Sequence, residues 1–326
     1  MCRYGRGTSG VYTWSMESRD AVSLPSWRDT ATKRAILDLV AQASDEDGPS
    51  YIHPADRIAA FDNDGTLWVE QPAPAQAGLL IGKLVEQVKA DPALATEDPY
   101  KGIVAQDPAF LRALAEQVPD AVIGFLKGVG KAWEDTTPEE YEAEVRAYLS
   151  ASVHPRFGCP WTDLIYQPML ELIDLLKAND WRVFVCSGGG RDFMRVFSED
   201  SWGIYRENVI GSAPAFAHEN GRLIRQNALH GSIALGPGKV EHIYARIGRT
   251  ALFAGGNGDV DLEMLQEARF RLVVVHDDAE REYEVTNACE KLIAAGEQGG
   301  WTMVSMKDDW KTVFKEDFTK LPRRER

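Results

Sequence analysis

Apolar and polar positions along this chain fall into two alternating rhythms. TATKRAILDLVAQAS, 30–44, carries apolar residues at helical spacing and predicts an amphipathic helix. RIAAF, 57–61, is a short apolar run halted by DNDG, which predicts a buried strand ending in a turn. From 72 to 157 helical patterns dominate, among them AGLLIGKLVEQVKA, AFLRALAEQV and TPEEYEAEVRAYLSAS, with few strand-like runs. That stretch predicts an inserted helical subdomain. Beyond it come helix QPMLELIDLLKAND, strand WRVFVC, helix RDFMRVF, strand NVIGS, helix KVEHIYARIG, strand TALFAG, helix VDLEMLQEA and strand RLVVVH. Strands that read as unbroken apolar runs between helices imply a parallel sheet covered on both faces. The expected architecture is a doubly wound, Rossmann-like α/β core from 1–71 and 158–326, with 72–157 inserted. The Gly/Ser-rich residues 1–23 read as a flexible tail, with order expected from near Leu24.

Composition narrows the partners. With 326 residues, 44% of them hydrophobic, the chain can bury a full core. Its 36 Lys and Arg against 50 Asp and Glu leave a formal charge of −14, which opposes a nucleic-acid or anionic-membrane surface. A small molecule is the expected partner, and any phosphate site must be local. Cys2, Cys159, Cys186 and Cys289 are scattered without a CxxC pair and read as free thiols. The first 27 residues hold no apolar stretch of signal-peptide length, and no later run approaches a membrane span, so the expected location is cytoplasmic.

In a parallel sheet ligands bind at the carboxyl ends of the strands. Those ends carry Asp62, Asn63, Asp64, Gly65 and Thr66 after the first strand, and Ser187, Gly188, Gly189 and Gly190 after the second. Lys239 starts a helix, and Gly256, Asn257, Gly258, Asp259 and Asp261 follow TALFAG. Two carboxylates as close as Asp62 and Asp64 repel unless a cation or hydrogen-bond donors compensate them. Mg²⁺, a hard cation that prefers carboxylate, carbonyl and phosphate oxygens, suits that task.

DNDGT, the Ser187 that ends VFVCS, the isolated Lys239 and GGNGDVD occur in the order of the four motifs of the haloacid dehalogenase superfamily, most of whose members are phosphatases. The resemblance spans roughly 57–276 and leaves the helical insert where that family carries its cap domain. HPRFG, YQPMLELIDLL and SGGGRDFMR further resemble a bacterial branch of hydrolases laid out like phosphoserine phosphatase. The resemblance implies a Mg²⁺-dependent phosphatase acting on a small phosphomonoester through an aspartyl-phosphate. Asp62 would be the nucleophile and Asp64 the general acid and base. Thr66, Ser187 and the Gly188 and Gly189 backbone would hold the phosphoryl oxygens, with Lys239 neutralising their charge. Asp62, the Asp64 carbonyl, Asn257 and Asp261 would form the metal site. Most relatives carry aspartate at the position of Asn257, so Asp259 stays open as an alternative ligand. Glu70, with Trp68 and Gln71, leads into the cap and is a specificity candidate.

Each motif has a plainer reading. DNDG alone is a common turn, SGGG a flexible loop and a lone lysine a solvated charge. GGNGDVD imitates a dinucleotide fingerprint, but Asp261 stands where the third glycine belongs. Four coincidences at strand ends weigh against the plain readings together. Phosphonate or carbon–halogen hydrolysis is the alternative chemistry, and Asp64 opposes both, since neither keeps the second aspartate. A catalytically silent binding protein is the alternative class. His276 could line the crevice or serve the core.

Overall fold

The computed structural model describes residues 24–115 and 118–318. The expectations for 1–23 and for Cys2 lie outside the described residues. A six-stranded parallel sheet runs in the order β3-β2-β1-β6-β7-β8. Its strands are β1 (Ile58–Phe61), β2 (Arg182–Gly190), β3 (Val209–Ser212), β6 (Phe253–Gly256), β7 (Phe270–Val275) and β8 (Thr302–Ser305). The chain moves outward from β1 through β2 to β3, then crosses back to β6 on the other side of β1. The reversal opens a crevice at the carboxyl ends of β1 and β6, where open α/β sheets bind ligands.

β1 shows why the run IAAF becomes a central strand. All four residues are buried, and Ala59 pairs with Val183 on one side and Phe253 on the other. Alternate residues serve opposite faces, as the two-residue repeat of a strand requires. Ala59 and Phe61 belong to one apolar cluster with α7 (Gln167–Ala178). Ile58 and Ala60 belong to a second with Ile243 of α10 (Pro237–Ile247) and Met264 of α11 (Leu262–Glu267). α1 (Ala31–Ser44) begins at Thr30, whose side chain accepts from the Lys33 amide.

The segment between β1 and α7 is helical. It contains α2 (Ala75–Ala90), α3 (Tyr100–Val104), α4 (Pro108–Ala115), α5 (Pro119–Ala132) and α6 (Pro138–Ala151). α6 opens with a capping box of Thr137 and Glu140 ahead of Pro138, which ties off its first amides. Leu79, Leu84, Tyr141 and Val145 of these helices join the same apolar cluster as Phe61, so insert and sheet share one core.

Several elements were not foreseen from the sequence pattern, among them helix α12 (Glu290–Gly299). An antiparallel hairpin, β4 (Pro214–Glu219) and β5 (Arg222–Leu229), turns at Asn220 and Gly221, both with positive φ, the backbone a tight hairpin requires. It is bound to the insert where Arg225 N donates to the Thr136 carbonyl at 2.8 Å and Asp135 N donates to the Arg225 carbonyl at 3.1 Å. The short edge strand β8 is another. The helix expected over RDFMRVF is only α8 (Arg191–Met194), because the chain then turns into α9 (Ser198–Trp202). Cys159, Cys186 and Cys289 are free thiols. No described helix is long and apolar enough to cross a membrane.

Arg57, 3% exposed, anchors the entrance to β1. Its guanidinium donates to the carbonyls of Ile52 at 2.9 Å, Asn179 at 3.0 Å and Ala43 at 3.2 Å. Replacing it strands these acceptors, at about 1–3 kcal/mol for each that stays dry. Arg57→Ala should therefore lower unfolding stability by at least ~2 kcal/mol in urea titration, and Arg57→Lys, which lacks the fork, should recover only part.

Candidate active site

β1 delivers Asp62 to the crevice, and the Asp62 amide still pairs with the Gly255 carbonyl at 2.9 Å. The chain then coils tightly, with Thr66 N and Leu67 N donating to the Asn63 carbonyl and Gly65 N to that of Trp68. Gly65 has φ +73°, and a Cβ there would lie 2.2 Å from Asn257 Nδ2. Only glycine lets the loop press against the end of β6.

Lys239 enters from the first turn of α10. The preceding Gly238 is equally constrained, since a Cβ there would meet the Ile233 carbonyl oxygen at 2.0 Å. Lys239 is fully buried, with Nζ 2.6 Å from Asp62 Oδ1 and 2.5 Å from Asp261 Oδ1. Asp261 Oδ2 accepts from the amides of Asn257 at 2.9 Å and Gly258 at 3.0 Å. Both oxygens of Asp261 are thus committed within the protein.

The remaining acids are poorly compensated. Burial, then the charge of Asp261, pushes Asp62 up to about 8 against the pull of Lys239. Burial works against the charged form of Lys239, yet Asp261 and Asp62 hold it above the usual lysine range. Asp64 is raised by burial, partly offset by Trp68, whose Nε1 donates to Asp64 Oδ1 at 2.8 Å. Trp68 is wholly buried and stacked on Phe197 at 4.8 Å, so it is a core residue that also aims Asp64. Burial and Asp64 push Glu70 up to about 7. Asn257 bridges the loops: its Oδ1 accepts from Thr66 Oγ1 at 2.8 Å and its Nδ2 donates to Glu70 Oε2 at 3.4 Å.

Four carboxyl groups therefore share one ammonium, an oxygen-rich and charge-deficient setting that suits a hard cation. Among the described residues no group of three or more His, Cys, Asp or Glu side chains forms a metal cage by itself. A cation here would draw on Asp62 together with backbone and amide oxygens. Asp259 faces elsewhere, with Oδ1 accepting from Leu292 N at 2.9 Å in α12 (Glu290–Gly299).

Ser187, 3% exposed, closes the other wall, its Oγ accepting from Gly189 N at 3.1 Å. A Cβ on Gly189 would sit 3.4 Å from Ser187 Oγ and 3.8 Å from Asp64 Oδ2, so this loop borders the acids directly. Gly188 has no space for a Cβ beside Leu235. Gly190 N donates to Gln76 Oε1 at 2.8 Å, which places the first turn of α2 over the strand ends. Nothing in the sequence singled out Gln76, an ordinary polar residue on an amphipathic helix. His276 lies beneath the first loop. Its Nε2 is 2.6 Å from the Gly65 carbonyl oxygen and its Nδ1 is 3.1 Å from Glu282 Oε2. Both ring nitrogens face acceptors, a setting that favours the doubly protonated imidazolium. Burial disfavours that charge, but Glu282 and the Gly65 carbonyl outweigh it and raise the His276 pKa. Of the two expectations for His276, the structure favours support of the loop.

The family model for haloacid dehalogenase-like hydrolases matches residues 59–266. No curated protein matches the sequence. Among solved structures, a conserved protein of unknown function from Anaerococcus prevotii DSM 20548 aligns with a TM-score of 0.56 at 16% identity, over 86% of this chain and 94% of that one. A protein of unknown function from Bordetella pertussis Tohama I aligns with a TM-score of 0.50 at 16% identity, over 76% and 97%. Both likenesses are of fold. With the family model spanning well over half the sequence and its span containing all four motifs, the chain belongs to the haloacid dehalogenase-like hydrolases.

Proposed function

We propose that this hydrolase is a Mg²⁺-dependent phosphatase of a small phosphorylated metabolite. The observation that carries the reading is the buried triad of Asp62, Lys239 and Asp261, with the second carboxyl, Asp64, two residues from the first. In this reading Asp62 attacks phosphorus and becomes an aspartyl-phosphate. Asp64, whose raised pKa favours the protonated form, donates its proton to the departing alkoxide and then takes one from the hydrolytic water. Thr66, Ser187 and the Gly188 and Gly189 backbone hold the phosphoryl oxygens, and Lys239 balances their charge. Asp62, the Asp64 carbonyl and Asn257 would hold Mg²⁺. Asp261, saturated by Lys239 and two amides, would act by fixing Lys239 and the 257–258 turn. When bound, the cation neutralises the acids and the phosphate together.

Residues 72–157 act in this proposal as a cap domain on the core of 1–71 and 158–326. Gln76 over Gly190 and the 7% exposure of Asp62 support a lid that shuts the site from water. A closed lid suits a metabolite better than a phosphoprotein.

Asp62→Asn should leave a folded protein without turnover of p-nitrophenyl phosphate, because an amide is no nucleophile toward phosphorus. A substantial residual rate would remove Asp62 from that role. Asp64→Asn should cost ~10²–10⁴ in kcat for alkyl phosphates. The loss should be clearly smaller for p-nitrophenyl phosphate, whose leaving group needs no proton, and equal losses would contradict the assignment.

The charge deficit gives a pH test. Glu70 titrates at about 7 in the fold against 4.5 in a free chain, so between those values the folded state holds the extra proton. Stability in EDTA should therefore fall as pH rises from about 4.5 to 7. Thermal melts should show this decline flattened by excess Mg²⁺ and reduced in Glu70→Gln. A decline unaffected by Mg²⁺ would place the metal elsewhere.

A further inference from the structure

Beyond Gln76, a second polar cluster lies outside the catalytic network. Arg191, Asp192 and Arg195 follow directly on the Gly-rich end of β2, and Arg225 reaches in from β5. Asp192 Oδ1 accepts from Arg191 Nε at 3.0 Å and Arg195 Nη1 at 3.4 Å, and its Oδ2 accepts from Arg225 Nη1 at 3.0 Å. Three guanidinium groups thus share one carboxylate, a local surplus of positive charge in a chain of formal charge −14. Burial, and then the neighbouring Arg191, holds Arg195 below the usual arginine range.

Arg191, Asp192 and Arg195 line a cavity of about 270 Å³ together with Tyr141 and Phe216. Arg225 is 8% exposed, its Cζ lies 3.9 Å over the Tyr141 ring, and its buried Nε has no hydrogen-bond partner. Arg206, paired with Glu142 at 3.1 Å, forms part of the cavity wall. A structural ion pair needs one arginine for Asp192, and with Arg225 already holding Asp192 Oδ2 an oxyanion in the cavity would offer acceptors to the outer nitrogens of Arg191 and Arg195. Planar guanidinium forks match carboxylate and phosphate, and a cation would be repelled.

The cavity neighbours the acid crevice. Arg191 is four residues past Ser187, at most about 13 Å along an extended strand. Gly190, next in the chain to Arg191, donates to Gln76 Oε1 at 2.8 Å, and a Cβ on Gly189 would lie 3.3 Å from Gln76 Oε1 and 3.8 Å from Asp64 Oδ2. The geometry points to Arg191 and Arg195, backed by Arg225 through Asp192, as a second oxyanion subsite, which holds a carboxylate or second phosphate at the far end of the phosphomonoester cleaved in the crevice. This rests on the phosphatase reading and narrows the substrate to doubly anionic esters, either phosphorylated carboxylic acids or bisphosphates.

The test is calorimetric titration of the full chain in Mg²⁺ with 4-phosphonobutyrate, propylphosphonate and butyrate, beside a p-nitrophenyl phosphate assay. The bifunctional phosphonate should bind at least tenfold more tightly than propylphosphonate. That ratio should fall toward one in Arg195→Gln and in Arg191→Gln, with Arg195→Lys intermediate and all variants folded by circular dichroism. These two arginines are the more exposed members, so the test does not depend on Arg225 variants folding. A ratio near one in the wild type, or one kept in both glutamine variants, overturns the subsite. Butyrate binding as tightly as the bifunctional ligand also overturns it, since the pocket would then take a separate anion. If p-nitrophenyl phosphate is not hydrolysed but the arginine-dependent ratio holds, the phosphatase reading falls and the subsite stands.

Discussion

A single ammonium group, Lys239 Nζ, carries the electrostatics of the crevice. It is fully buried between Asp62 and Asp261, joining the end of β1, the first turn of α10 and the turn after β6. Removing one partner of such a buried pair leaves an uncompensated charge, at about 3–5 kcal/mol. The triad is also incomplete as charge compensation, because burial raises the pKa of both Asp64 and Glu70 beside it. Stability and chemistry therefore meet at one place: the fold tolerates this acidity only with protons or a bound cation, and the proposed phosphoryl transfer uses the same acidity.

Close approach of backbones makes the triad possible. Gly65, Gly238 and Gly256 sit where a Cβ would strike Asn257, the Ile233 carbonyl or the Asp261 carboxylate. Each brings a loop nearer than any other residue would permit. Around them a supporting layer aims the acids: Trp68 on Asp64, His276 on the Gly65 carbonyl, and Glu282 on His276. Glu282 in turn accepts from the Tyr166 hydroxyl and the Tyr283 amide, so it is a satisfied buried carboxylate despite its depth.

The insert and the β4–β5 hairpin are tied to the loops that border this centre. Gln76 fixes α2 to the Gly190 amide, while Arg225 ties the hairpin to α6 and α8 through Tyr141 and Asp192. Because insert and sheet share one apolar cluster, opening the crevice would require side chains such as Leu79 and Val145 to slide rather than simply part.

The order of the core elements, the placement of DNDGT, Ser187 and GGNGDVD at strand ends and that of Lys239 at a helix start were legible from the chain alone. Local periodicity decides which segments become strands and helices, and the chain direction of a parallel sheet then decides which residues reach its ligand-binding edge. Strand β8 and the hairpin escaped because four-residue and half-polar runs have no distinctive period, although Asn220-Gly221 was a usable turn signal. Only the tertiary structure decided that Asp259 turns toward α12, that Asp261 is spent on Lys239 and two amides, and that His276 faces two acceptors. It alone brought Gln76 to Gly190 and Arg225 to Asp192, residues 114 and 33 positions apart. Sequence spacing fixes neighbours along one element, whereas burial, charge and hydrogen-bond partners arise between elements and exist only once the chain has packed.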